Sequence, residues 1–348
     1  MIKTKGRELN TSSITITLLF LYLVIFPLFG NDFSILNITG FMYQILLASS
    51  LVLIWGYCGI FSFAQAAFFG IGGYCYGIIT LNAQNPALTP VALLVAVASG
   101  FVVAGIFGYF LFYGGVNDSF IGIITLCFTM VLETFMQQTA APKWKIGRVA
   151  LNGFNGINRI PPLHIGKIAI VDKPFYYVVL VTIIAVYAIY RAVERRNIGY
   201  TLKAIQENAH RTSLLGYNVA KIKTLVFACG GAIAALAGVY YTMWGGYIVP
   251  TSMNITSATI PIVLAAAGGR KNAAAVYIFG LGYLKFAQSL AAKGTQYAFV
   301  VLGALLIIVV LIVPDGIVET LFRFLDRTVL DKIKDKFGKG GVSNVARE

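Results

Sequence analysis

Val91-Ala-Leu-Leu-Val-Ala-Val-Ala-Ser-Gly-Phe-Val-Val-Ala-Gly-Ile-Phe-Gly-Tyr-Phe-Leu-Phe-Tyr113 contains no charged side chain. A bilayer core needs about 20 apolar residues per helix, and backbone amides in lipid must find partners within the segment. The stretch therefore reads as a transmembrane helix. Nine further apolar runs lie at approximately 14–30, 41–57, 59–80, 119–140, 174–192, 224–249, 255–268, 272–292 and 296–314. The expected fold is an all-α polytopic transmembrane helix bundle of about 8 to 10 spans. Segment 255–268 is short, follows Pro250 and contains Pro261, which predicts a broken or re-entrant helix.

Composition agrees. Of 348 residues, 58% are hydrophobic and 11% charged, against about 25% charged in soluble domains. Mean hydropathy is +0.80, which excludes a soluble enzyme. The formal charge of +14 does not indicate nucleic acid, because the basic residues sit between apolar runs instead of forming a stripe with aromatics. Lys and Arg concentrate in 1–13, 193–223 and 315–348, which places both termini in the cytoplasm. The resulting division is a cytoplasmic N-terminus, 1–13; a membrane domain, 14–314; and a cytoplasmic tail, 315–348. Loop 193–223 faces inward and loop 141–173 outward. The outward loop is itself basic, with Lys143, Lys145, Arg148, Arg159, Lys167 and Lys173. In the tail, Leu325, Val329, Ile333 and Phe337 recur at helical spacing, which predicts a surface-lying amphipathic helix.

Few residues carry recognisable chemistry. Cys58, Cys75, Cys127 and Cys229 lie inside apolar runs without paired spacing, and His164 and His210 have no second ligand nearby, so no metal site is expected. No G-x-x-x-x-G-K-[ST] loop occurs, so ATP-driven work would need a separate engine. Glu133 is the acidic side chain expected deep in a span, facing the bundle interior because lipid exposure is costly. Gly70, Gly73 and Gly77, and Gly230, Ala234 and Gly238, recur as small residues; close helix packing and a glycine-lined substrate path both account for them. Leu202, Ile205 and Ala209 fall on one face of a short amphipathic helix ending at Gly216, the kind of surface a soluble partner docks on.

Several stretches together resemble the branched-chain amino acid permeases of bacterial ABC importers, LivM type. They are Gly59-Ile-Phe-Ser-Phe-Ala-Gln65-Ala-Ala-Phe-Phe-Gly-Ile-Gly-Gly-Tyr74, Asp118 to Leu126 leading to Glu133, and Leu151-Asn-Gly-Phe-Asn-Gly156. Ala204-Ile-Gln-Glu-Asn208, Leu215-Gly216, Ala237-Gly238, Gly268-Gly269 and Pro314-Asp-Gly316 follow in the same order. The resemblance covers roughly residues 40 to 320. It implies a non-enzymatic subunit of the bacterial inner membrane, with lipid around it. Its implied partners are a second, LivH-like permease, two cytoplasmic ATPases and a periplasmic binding protein. ATP and Mg would be used by the ATPases, with no cofactor on this chain. By the same resemblance, Ser62, Gln65, Glu133, Asn152, Gly153, Asn155 and Gly156 belong to the substrate pathway. Ala204, Ile205, Glu207, Asn208, Leu215 and Gly216 belong to the ATPase-coupling loop.

Two departures bear on substrate. Many family members have His where this chain has Gln65, and Gly-Leu-Gly where it has Gly269-Arg270-Lys271. Gln and Gly-Gly-Arg are similar to the urea and short-amide branch, while Leu151-Asn-Gly-Phe matches neither. The expected cargo is a branched-chain or other hydrophobic amino acid, with urea or short amides as the alternative. A self-sufficient, ion-coupled secondary transporter using Glu133 as a relay is the rival from a different class.

Overall fold

The computed structural model describes residues 11–166, 168–292, 303, 313 and 315–326. Among the described residues, eleven α-helices precede residue 293. They are α1 (Thr11–Phe29), α2 (Asp32–Leu51), α3 (Gln65–Ala83), α4 (Thr89–Tyr113), α5 (Asp118–Gln137), α6 (Asp172–Glu194), α7 (Asn197–Glu207), α8 (Ala209–Leu214), α9 (Val219–Gly245), α10 (Ile255–Gly268) and α11 (Ala273–Ala292). A short α12 covers Ile317–Leu325. Among the described residues, seven helices are long and apolar enough to cross a membrane, or eight spans if one bent pair is counted. That pair is Pro250–Gly268 with Ala273–Ala292, bent by 116°. The all-α polytopic bundle is thus observed; the segment expected to be broken is one arm of this bent pair, with the bend at 269–272 and Pro261 inside the continuous α10. The expected span 296–314 falls almost wholly outside the described residues, as does the expected helix in the tail beyond 326.

Asparagine starts many of these helices. Asn31, Asn117, Asn208, Asn218 and Asn254 each accept a backbone N–H from the first turn of α2, α5, α8, α9 and α10. Each such cap contributes about 1 kcal/mol at a helix end that would otherwise leave amides bare. The apolar run 59–80 is not helical throughout. Residues 59–64 form a turn, with Gly59 at a φ of +78°, and α3 begins only at Gln65. Before that turn, α2 winds into a π-helical segment, Val52–Gly56.

The core is built on α9, which packs against α2, α3 and α4. Small residues permit the contact: a side chain at Gly72 of α3 would strike the Ala235 backbone, and one at Gly238 of α9 would strike the Phe69 carbonyl. A side chain at Gly230 would meet Ile54, and one at Gly231 would meet Ala104. Close packing therefore explains the glycine pattern. By contrast α1, α4 and α5 turn much of their apolar surface outward, with Leu18, Leu94, Phe110, Ile123 and Val131 all exposed.

Hydrogen bonds define two ends of the bundle. At one, Thr11 donates its amide to Asp326 (2.9 Å), Arg191 reaches Ser13 (2.8 Å), Lys223 of α9 pairs with Asp118 of α5 (2.8 Å), and α7 and α8 lie across the surface. At the other, β-ribbons β1 (Lys145–Ile146) with β2 (Val149–Ala150), and β4 (Leu163–Ile165) with β5 (Ile168–Ile170), cap the helices. There β3 (Ile157–Asn158) also pairs antiparallel with β6 (Tyr247–Ile248), tying the long loop to the end of α9.

Candidate functional site

The 59–64 turn is held against α5. Phe63 receives through its carbonyl a hydrogen bond from Thr129 (3.2 Å) and donates its amide to Thr125 (3.0 Å), fixing α5 to the turn. Ser62 accepts from the Ala64 amide at 3.1 Å and is buried. Gln65 follows as the first residue of α3, 1% exposed. Its Oε1 lies 2.8 Å from Ser50 Oγ of α2, and its Nε2 has no partner among the described residues. A buried bare amide N–H costs about 1–3 kcal/mol, so it marks a place where a polar group is wanted.

One turn further along α3 and one to two turns back along α2, a cavity of about 180 Å³ opens between α2, α3, α9 and the start of α10. Tyr43, Phe69 and Tyr241 form an aromatic wall, with Tyr43 and Phe69 ring centroids 5.4 Å from that of Tyr241. Gln44, Ser252 and Ser257 add polar groups. The combination can hold a small solute with one apolar and one hydrogen-bonding side.

At the opposite end from the β-ribbons, α7 is clamped to the bundle. Leu202 and Ile205 are 1% and 3% exposed. Gln206 Nε2 donates to the Gly56 carbonyl at the end of the π-segment (3.0 Å). A side chain at Gly56 would collide with the Arg270 carbonyl, and the Arg270 guanidinium sits 4.9 Å over the Trp55 ring. Tyr57 donates to Glu194 (2.6 Å). Thus α7, the π-segment, the end of α6 and the 269–272 turn form one connected patch.

The family model for the permease component of branched-chain amino acid transport systems matches residues 34–310. The chain belongs to that permease family. It is 28% identical over 292 residues to the high-affinity branched-chain amino acid permease protein BraD of Pseudomonas aeruginosa, covering 78% of this chain and 90% of the relative. LivH of Escherichia coli is also 28% identical, over 281 residues with the same coverage. The probable LivM permease of Methanocaldococcus jannaschii is 22% identical over 286 residues, covering 75% of this chain and 80% of that one. No solved structure matches.

In this permease the sequence-derived site residues divide into separate groups. Ser62 and Gln65 sit together at the α2–α3 junction. Glu133 lies one turn from the end of α5, half-buried, with the Gln137 amide donating to it at 2.9 Å. That position is nearer the β-ribbon end than an apolar run extending to 140 suggests, because the helix stops at Gln137. Asn152 and Gly153 take positive φ, Asn152 donates to the Gly156 carbonyl (3.2 Å), and a side chain on Gly156 would meet the Ile248 carbonyl. Residues 152–156 are therefore a tight turn anchored on β6.

The loop expected to couple to an ATPase also differs from expectation. Asn208 breaks it into two helices by capping α8, and Ile205, expected on a docking face, points into the bundle. Ala204, Glu207 and Asn208 line the break, while Leu214 and Leu215, 74% and 75% exposed, with Gly216, form the free surface. Ser50, Thr125 and Thr129 were not singled out from sequence; serine and threonine in a helix usually bond their own i−4 carbonyl, as all three also bond nearby carbonyls here.

Proposed function

We propose that this permease is one membrane subunit of an ATP-driven importer for branched-chain or other hydrophobic amino acids in a bacterial inner membrane. The observation that carries the reading is the α7–α8 unit. Its inner face is locked onto the π-segment of α2, and its outer face leaves Leu214 and Leu215 bare, so a partner pressing on α8 would load the segment that leads through Ser50 to Gln65. The partners follow: two cytoplasmic ATPases that use ATP and Mg, a second LivH-like permease and a periplasmic binding protein. The cargo would pass the aromatic cavity and the Gln65 amide, with Asn152, Gly153, Asn155 and Gly156 shaping the face on which the binding protein docks.

The test is uptake by the reconstituted assembly with and without ATP. Replacing Leu215 with Asp is expected to reduce ATPase co-purification and uptake by about tenfold while leaving the thermal stability of the purified chain unchanged. Accumulation driven by an ion gradient on the chain alone would replace this reading with that of a secondary transporter. Gln65, whose amide offers an unused N–H, favours urea or a short amide as a second reading, and competition of labelled leucine uptake by leucine or by urea separates the two.

A further inference from the structure

We propose that a cleft between α3, α4 and α5 at the β-ribbon end binds an anionic phospholipid, its acyl chain in the cleft and its phosphate held by Lys143 and Lys145. Helices α4 and α5 touch at the stacked Phe107 and Phe128 rings, centroids 4.4 Å apart. Toward the ribbon end a cavity of about 590 Å³ opens between them, walled by Ile71, Ile78, Phe135, Met136 and Leu151. The distance from Phe128 to Phe135 along α5 is about 10 Å at 1.5 Å per residue, enough for the inner part of an acyl chain. An apolar recess on the outward side of a membrane bundle is filled by lipid, since no water lies there to be excluded.

Polar groups gather at its mouth. Lys143 and Lys145 line it, neither in an ion pair among the described residues, and Trp144 lies edge-on to Phe135 at 5.6 Å with the Lys143 ammonium 5.9 Å above its ring. The segment is held in place: Asn82 of α3 donates to the Ile146 carbonyl (2.9 Å) and accepts from the Arg148 amide (2.7 Å), and Leu151 donates to the Trp144 carbonyl (3.1 Å). Tyr74, 5% exposed, lines the cleft with a hydroxyl that has no partner among the described residues, placed to donate to a lipid ester carbonyl. Tryptophan and lysine at an interface, an apolar shaft and an unused hydroxyl match an anionic glycerophospholipid. A zwitterionic amino acid would leave most of the shaft empty. The same match accounts for the basic character of the 141–151 stretch.

The test uses the full chain with Trp55→Phe and Trp244→Phe, so that Trp144 is the sole indole, in vesicles holding brominated phosphatidylglycerol or brominated phosphatidylcholine. Phosphatidylglycerol should quench Trp144 at a lower mole fraction, and Lys143→Gln and Lys145→Gln should each cut that preference roughly fivefold, the equivalent of about 1 kcal/mol per basic residue. Native mass spectrometry of the chain with all its tryptophans should find phosphatidylglycerol retained through delipidation and lost in the double lysine variant. Equal quenching by both headgroups, unaffected by the lysine changes, overturns the proposal. So does an Ile146→Cys variant that cross-links to a second membrane protein while neither lipid quenches, because the cleft is then a protein interface.

Discussion

Gln65 has one end of its amide bonded and the other without a partner among the described residues, and that asymmetry can be tested by a substitution. Gln65→Leu removes the acceptor of the Ser50 hydroxyl, which still has the Leu47 carbonyl at 2.6 Å, so stability should change by no more than about 1 kcal/mol while uptake falls. If uptake is unchanged, the bare N–H does not face cargo. Glu133 offers the complementary case. Its only side-chain partner among the described residues, Gln137, is a donor, so Glu133→Gln keeps an acceptor in place and should retain uptake and stability. An ionised relay requires the opposite, loss of uptake in the Gln variant at unchanged expression. Glu133 was visible in the sequence because it breaks an apolar run, and Gln65 through the family resemblance of the stretch around it. Ser50, Thr125 and Thr129 were not, because a hydroxyl in a helix carries the same letter whether it serves its own backbone or a turn brought in from elsewhere.

Helices are where hydropathy spoke most clearly and where it also misled. The spans were legible since each must be long and apolar to cross the bilayer. Their ends were not: Gly59 to Ala64 is apolar enough to pass as helix, yet its conformation is set by hydrogen bonds to α5, a tertiary fact absent from any local window. Likewise the apolar spacing of Leu202 and Ile205 marked an amphipathic helix without saying which side the bundle would claim. The glycine contacts between helices can be tested by a matched pair. Gly238→Val drives a side chain into the Phe69 carbonyl and should cost more than about 3 kcal/mol, seen as lost thermal stability in detergent or failed assembly. Gly282→Ala meets nothing within 4 Å and should stabilise α11 by about 0.5–1 kcal/mol. Equal effects from the two would mean that α3 and α9 do not approach as closely as the structure has them.

At the scale of the whole molecule, the ends of the helices decide orientation together. Thr11 bonds to Asp326, Arg191 to Ser13 and Asn272 to Glu319, so the start of α1 and all of α12 share one end with α7 and α8. That end also carries Arg195, Arg196, Lys203, Arg211, Lys221, Lys223, Arg270 and Lys271, the kind of excess the positive-inside tendency concerns. The β-ribbon end carries fewer basic residues among the described ones, Lys143, Lys145, Arg148, Arg159 and Lys173, so the excess lies at the α7–α8 end. The orientation we propose on this charge count has the α7–α8 end in the cytoplasm. It can be read with a membrane-impermeant maleimide on intact spheroplasts, using a chain whose four cysteines are replaced by alanine or serine and which carries one new cysteine. Phe154→Cys, at a position 67% exposed on the ribbon end, should label in intact cells. Ser213→Cys, exposed on α8, should label only after the membrane is opened. The reverse pattern would put α8 outside, where no ATPase could reach it, and would remove the importer reading along with the topology.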